Sequence, residues 1–221
     1  MCGRFTLIAK PDDLKERYNL EEIPFELKAR YNIAPSQYIA AIISHNGKNR
    51  IGQLKWGLIL SWAKDEKTSY KMINAKAETI RDKPSFKNLI IKKRCIIPAD
   101  GFYEWKRIES DKQPMRIMMK DEGVFSFAGL YDTWISPHGE RVNTCSIITT
   151  KPNTLMVDIH DRMPVIIKRE DEALWLDREV QDGKLLESLL VPYDENQMKA
   201  YPVSKMVGNV RYDIPDCIAE I

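Results

Sequence analysis

Arg94-Cys95-Ile96-Ile97-Pro98-Ala99-Asp100-Gly101-Phe102-Tyr103-Glu104-Trp105 reads as two strands on either side of a turn. The apolar run at 94–98 has the composition of a buried strand, Asp100-Gly101 is a turn pair, and aromatic residues then alternate along 101–107. The pattern continues downstream, with strands expected at 115–120, 124–135 and 142–149. Turn residues separate them at Asp111, at Asp121-Glu122-Gly123 and at Pro137-His138-Gly139. Upstream, a strand is expected at 4–8, and a helix at 11–18 with Pro11 and two aspartates in its first turn. The stretch 21–37 reads as irregular because of Pro24 and Pro35. Strands at 38–44 and 50–56 flank an Asn46-Gly47 hairpin turn. The stretch 57–70 is mixed and carries an exposed-looking Trp62, and 73–79 leads into a helix at about 83–92 with Pro84 in its first turn. A short helix at 152–157, a strand at 164–167, amphipathic helices at 171–176 and 183–190 and a Pro-containing tail at 198–221 complete the chain. The expectation is one α+β domain over 1–221, an antiparallel β-rich, partly closed sheet with short helices around its rim.

The chain has 221 residues, of which 43% are hydrophobic, enough for a sizeable core. With 34 basic and 32 acidic residues the net charge is +2, so nucleic-acid contact would need a local patch rather than bulk charge. No apolar run is long enough to cross a membrane, and the start lacks an apolar signal segment, so a cytoplasmic protein is expected. Cys2, Cys95, Cys145 and Cys217 lie far apart with no zinc-type spacing. No metal site or cofactor is expected. Phosphate-binding glycine loops and a GxSxG serine motif are missing too.

Cys2 is separated from the end of the chain by one methionine. Once Met1 is trimmed, its thiol and α-amine would form a 1,2-aminothiol, a pair that no internal cysteine offers. Such an amine titrates near 8 and such a thiol near 8.5, so both would have a reactive minority form at neutral pH. The bland alternative is a small apolar residue at a frayed terminus.

Three further stretches stand apart from ordinary packing. Asn74, after an apolar run, needs partners for its amide and is either a cap or a site residue. Glu104 shares a strand face with Phe102. If that face is the buried one, desolvation raises its pKa toward the range of a proton shuttle; if Tyr103 and Trp105 face inward instead, Glu104 is solvated. His160, in Ile159-His160-Asp161-Arg162-Met163-Pro164, is the histidine with charged neighbours, whereas His45 and His138 sit by turns. Both a structural and a catalytic reading of it stand.

Taken together, these stretches resemble the SOS-response-associated peptidase (SRAP) family, the abasic-site DNA–protein crosslinking proteins. The matching pieces are MCGRF at the start, YNIAPSQ at 31–37, WGLI at 56–59, NAKAET at 74–79, RCIIPADGFYEW at 94–105, FAGLYDTW at 127–134, CSIITT at 145–150 and HDRMPVII at 160–167. The resemblance implies the family's β pseudo-barrel with flanking helices. It implies Cys2 as nucleophile after loss of Met1, Asn74 as a site amide, Glu104 as the site carboxylate and His160 as the group that opens the deoxyribose ring. Arg4, Trp62, Lys76, Trp105, Thr149 and Arg162 match positions expected along a DNA groove. Lys76 stands where the family usually has arginine, which keeps the charge but loses a two-pronged phosphate contact.

The activity implied is on single-stranded DNA containing abasic sites, including single-strand/duplex junctions, by a monomer. A thiazolidine would join Cys2 to the ring-opened sugar, and an imine intermediate would allow weak lyase activity. A thiol autoprotease or peptidase built on Cys2, Glu104 and His160 is the alternative enzyme, and a single-strand-binding module with an inert site is the alternative from another class.

Overall fold

The computed structural model describes residues 2–67 and 69–221; Met1, on whose removal the expected chemistry turns, lies outside them. In chain order the strands are β1 (Phe5–Leu7), β2 (Arg30–Ile33), β3 (Tyr38–His45), β4 (Lys48–Trp56), β5 (Asn74–Lys76), β6 (Arg94–Ala99), β7 (Gly101–Ile108), β8 (Asp111–Met119), β9 (Phe125–Ile135), β10 (Arg141–Thr150), β11 (Met163–Pro164), β12 (Ile166–Ile167) and β13 (Met198–Pro202). The helices are α1 (Pro11–Tyr18), α2 (Leu89–Lys92), α3 (Thr154–Val157), α4 (Glu172–Leu176) and α5 (Gly183–Ser188).

Strands β10, β4, β3, β6 and β9 close into a five-stranded barrel, because β9 pairs back onto β10 from Arg141↔Ile135 to Ile147↔Gly129. The seam between β10 and β4 is parallel (Thr144↔Lys55), as is the addition of β5 to β10 (Ile147↔Asn74), so the sheet is mixed there. The β3–β4 hairpin turns at Asn46 and Gly47, both at positive φ (52° and 72°), as an Asn-Gly two-residue turn requires. A second sheet runs β13-β8-β7-β1-β2.

Asp100 is the corner between the two sheets. It separates β6 from β7, and its carboxylate accepts hydrogen bonds from Thr6 Oγ1 (2.5 Å) and from the backbone N–H groups of Ile8 and Ala9. A fan of edge-to-face rings seals the two sheets together. Phe5 meets Trp56 at 5.4 Å and Phe127 at 5.7 Å, and Phe102 meets Phe127 at 6.0 Å. Inside the barrel there is no slack: a Cβ on Gly129 would lie 2.7 Å from Cys95 Sγ.

The sequence pattern locates most of these elements. It misses β2, whose four residues are strand because they pair with β1 (Phe5↔Ile33), not because of their own composition. The helix expected at 83–92 shrinks to α2, and turns occupy the residues around Pro84. The turn placed at Asp111 lies at Glu109 and Ser110, and Ile108 pairs with Asp111. Of the two alternatives for β7, the buried Glu104 holds and the solvated one does not, although Tyr103 is buried as well because the strand is covered on each side. Phe102 and Glu104 face the main core, while Tyr103 packs with Val203, Val207 and Cys217 in a second cluster. Among the described residues, no helix is long and apolar enough to cross a membrane.

Candidate functional site

The site forms where three parts of the fold converge: the start of β1, the middle of β7 and the loop between α3 and β11. β1 lies beside β7, with Phe5 opposite Phe102 and Tyr103 N–H bonded to Arg4 C=O. This register carries Cys2 past the Glu104 end of β7. Cys2 is fully buried rather than frayed. Burial, and then the neighbouring Glu104 carboxylate, push its thiol well above the ordinary range, and the Arg4 backbone N–H offsets this only in part. The small thiolate fraction expected of a free cysteine is therefore lowered here.

Glu104 is 2% exposed, and burial pushes its carboxyl up to about 7. A strand carboxylate becomes desolvated here because β7 is covered on both faces. Its Oε2 lies 3.8 Å from His160 Nε2. Burial lowers the His160 pKa. That spacing is within ion-pair range, yet burial drives both partners toward their neutral forms. The pair therefore leans toward a neutral carboxyl beside a neutral imidazole rather than a carboxylate beside an imidazolium.

The position of His160 follows from α3. Asn153 caps that helix by accepting the Met156 N–H (3.0 Å), and His160 N–H returns to Met156 C=O. Its Nδ1 accepts the Arg162 backbone N–H at 3.1 Å, which leaves the proton of the neutral ring on Nε2, facing Glu104. The exposed Asp161 carboxylate stands 2.9 Å from Nδ1 and would stabilise an imidazolium if a second proton arrived.

Asn74 opens β5, added to β10 opposite Ile147. Its Nδ2 reaches Ile147 C=O only at 3.4 Å, and its Oδ1 is buried with no hydrogen-bond partner among the described residues. A buried amide left so poorly satisfied is costly for folding alone and fits an atom kept for a ligand.

The residues expected along a DNA groove divide into two sets. Trp62 is 70% exposed and Lys76 is exposed on β5. The others are occupied by the protein. Arg4 donates to Asn32 Oδ1 and to the carbonyls of Val207 and Gly208. Arg162 grips Glu78 and Thr149, Thr149 is 1% exposed, and Trp105 packs against the Tyr103 cluster. Sequence reasoning missed Asn32 and Glu78. Each sits within a quoted motif, YNIAPSQ and NAKAET, but nothing local marks either as a partner of a distant arginine. Among the described residues, no cluster of His, Cys, Asp and Glu could hold a metal ion.

The family described as SOS response associated peptidase (SRAP) matches residues 1–210. The abasic site processing protein YoqW of Bacillus subtilis is 53% identical over 221 residues, covering 99% of each chain. The abasic site processing protein HMCES of Xenopus tropicalis is 34% identical over 77% of this chain and 57% of its own length. A crystal structure of a protein from Bacteroides thetaiotaomicron superposes with a TM-score of 0.92 at 32% identity, covering all of both chains.

Proposed function

The chain belongs to the SOS response associated peptidase family, and from that premise we propose that it processes abasic sites in DNA through a covalent bond to Cys2. The observation that carries this reading is the convergence of three residues. The thiol of Cys2 lies within the electrostatic reach of Glu104, and Glu104 lies 3.8 Å from His160. An N-terminal aminothiol beside a buried carboxyl and an imidazole is what an aldehyde-capturing site needs.

An abasic sugar is mostly a closed hemiacetal. The Glu104–His160 pair delivers a proton to the ring oxygen while the C1′ hydroxyl loses its own, which frees the aldehyde. The Cys2 amine, uncovered by loss of Met1, adds to C1′. Glu104 shuttles the protons that let water leave, giving an imine. The Cys2 thiol then adds across the imine carbon, its proton passes to nitrogen, and a thiazolidine results. The buried, protonated thiol favours this order, amine first and sulfur second. It disfavours the peptidase reading, which needs a thiolate at the outset. Diversion of the imine to β-elimination accounts for a weak lyase activity.

Binding to single-stranded DNA is largely independent of sequence. Exposed Trp62 stacks on a base, and Lys76 meets a phosphate. Arg4 or Arg162 could reach a phosphate only by giving up a protein partner. With Lys76 the exposed cation among those expected along the groove, and a chain of net charge +2, affinity is modest and falls with salt.

Denaturing electrophoresis with an abasic single-stranded oligonucleotide tests the proposal. Met1-processed protein gives a band that survives heat and detergent, while an intact strand gives none. The same yield from Cys2→Ala would overturn the mechanism.

A further inference from the structure

We propose that Glu78 is a positioning residue that acts through Arg162 to hold the His160 ring facing Glu104. The inference rests on the reading of the site given above, although one of its tests does not need DNA. Glu78 lies in the 3-10 turn Ala77–Thr79, directly after the strand that carries Asn74 and Lys76. Arg162 lies two residues after His160. The two side chains meet as parallel forks, Nη1 to Oε1 at 2.7 Å and Nη2 to Oε2 at 3.0 Å. The same Nη2 donates to Thr149 C=O at 2.6 Å and to Thr149 Oγ1 at 3.2 Å.

Thr149 lies in β10 between β5 and β11, opposite Lys76 on one side and Pro164 on the other. One guanidinium therefore ties together the exit of β5, the C-terminal end of β10 and the His160 loop. Its side chain is 13% exposed and that of Glu78 35%, so the fork is shielded from water on the arginine side. Among the described residues, Arg162 Nε is buried without an acceptor. The cluster thus tolerates one unsatisfied donor to keep the planar geometry, and lysine could not reproduce that geometry.

The link to chemistry runs through the backbone. Arg162 N–H is the donor that His160 Nδ1 accepts, and it keeps the ring proton on Nε2, opposite Glu104 Oε2. Releasing the fork frees the residue whose N–H selects the tautomer. Among the described residues, the charged groups around the ring include Glu104 on β7 and Asp161 and Arg162 in its own loop.

Two variants test this in Met1-processed protein. Glu78→Gln keeps the shape and loses the charge, and Arg162→Lys keeps the charge and loses the fork. Nitrogen NMR of the His160 ring, assigned by its loss in His160→Gln, reads the tautomer without DNA. The wild-type ring carries its proton on Nε2, and both variants shift toward a mixture. In single-turnover crosslinking at saturating abasic strand, both variants slow by about tenfold or more, part of the roughly 10²–10⁴ that acid–base help supplies. Affinity for an intact strand changes much less. The proposal is overturned if Glu78→Gln keeps the tautomer and the rate. It is equally overturned if Glu78→Gln binds DNA more tightly at an unchanged rate, since Glu78 would then only screen Arg162. Arg162→Lys matching wild type in both readouts also overturns it. If wild type forms no crosslink, the functional reading fails instead, and the NMR arm still decides whether the fork positions the ring.

Discussion

Glu104 Oε2 and His160 Nε2 stand 3.8 Å apart, on a strand and a loop that the chain brings together across more than fifty residues. Burial raises the carboxyl and lowers the imidazole, so the two groups favour their neutral forms instead of forming a fixed ion pair.

The pH dependence of crosslinking follows from that pair and from the Cys2 amine. Ring opening needs the pair protonated, which is lost as pH rises through about 7. Amine attack needs the free base, which is lost as pH falls below about 8. Single-turnover rates therefore trace a bell between mildly acidic and mildly alkaline pH. Glu104→Gln loses the alkaline limb near 7 and runs roughly 10²–10⁴ times slower. An unchanged profile in Glu104→Gln would assign that limb to another group.

Stability should fall over the same pH interval in which the Glu104 limb of activity is lost. Because the folded-state carboxyl titrates above its unfolded value, Glu104 contributes stability below about 4.5 that is lost as pH rises through about 7. The rise from 4.5 to about 7 is worth at most about 3 kcal/mol. Glu104→Gln, neutral at every pH, is expected to melt higher than wild type at pH 8 and about equally at pH 4. Calorimetry at the two pH values measures this, and a variant that melts lower at pH 8 would contradict the burial argument.

The order of bond formation can be separated with Cys2 variants. Cys2→Ser and Cys2→Ala keep the α-amine once Met1 is removed, so each still forms an imine. Neither gives an adduct that survives denaturation, and borohydride reduction traps both. Met1-processed protein whose Cys2 α-amine has been acetylated gives no adduct with or without borohydride. A stable adduct from that blocked protein would place the first bond on sulfur.

Asn32 anchors the C-terminal segment to the strand that carries Cys2. Fully buried, it donates to the carbonyls of Val207, Asn209 and Tyr212 at 3.1, 3.2 and 2.8 Å, and it accepts from Arg4. Asn32→Ala strands these carbonyls and should cost about 2–3 kcal/mol in denaturant unfolding. Hydrogen exchange should quicken around residues 207–213 before it does in the barrel. Uniform loss of protection would mean that the segment is not held locally.

The sequence by itself determined the strands and much of the cast of the site. Alternation and turn residues marked the hairpin at Asn46-Gly47 and the run from β6 to β10, because those signals are local and periodic. The unusual end at Met1-Cys2 and the charged neighbours of His160 were visible for the same reason. Only the tertiary structure decided what depends on distant pairing. The barrel closes where β9 returns to β10 and β10 runs parallel to β4. β2 becomes a strand because β1 lies beside it. Burial on both faces of β7 gave Glu104 its raised pKa, which no pattern along the strand could choose. Likewise, the family resemblance could suggest that Arg4 and Arg162 face DNA. Only the fold set Asn32 and the carbonyls of Val207 and Gly208 against one, and Glu78 and Thr149 against the other. A guanidinium's partner is set by the three-dimensional position of acceptors far away in the chain, and a sequence lists those acceptors without saying which will arrive.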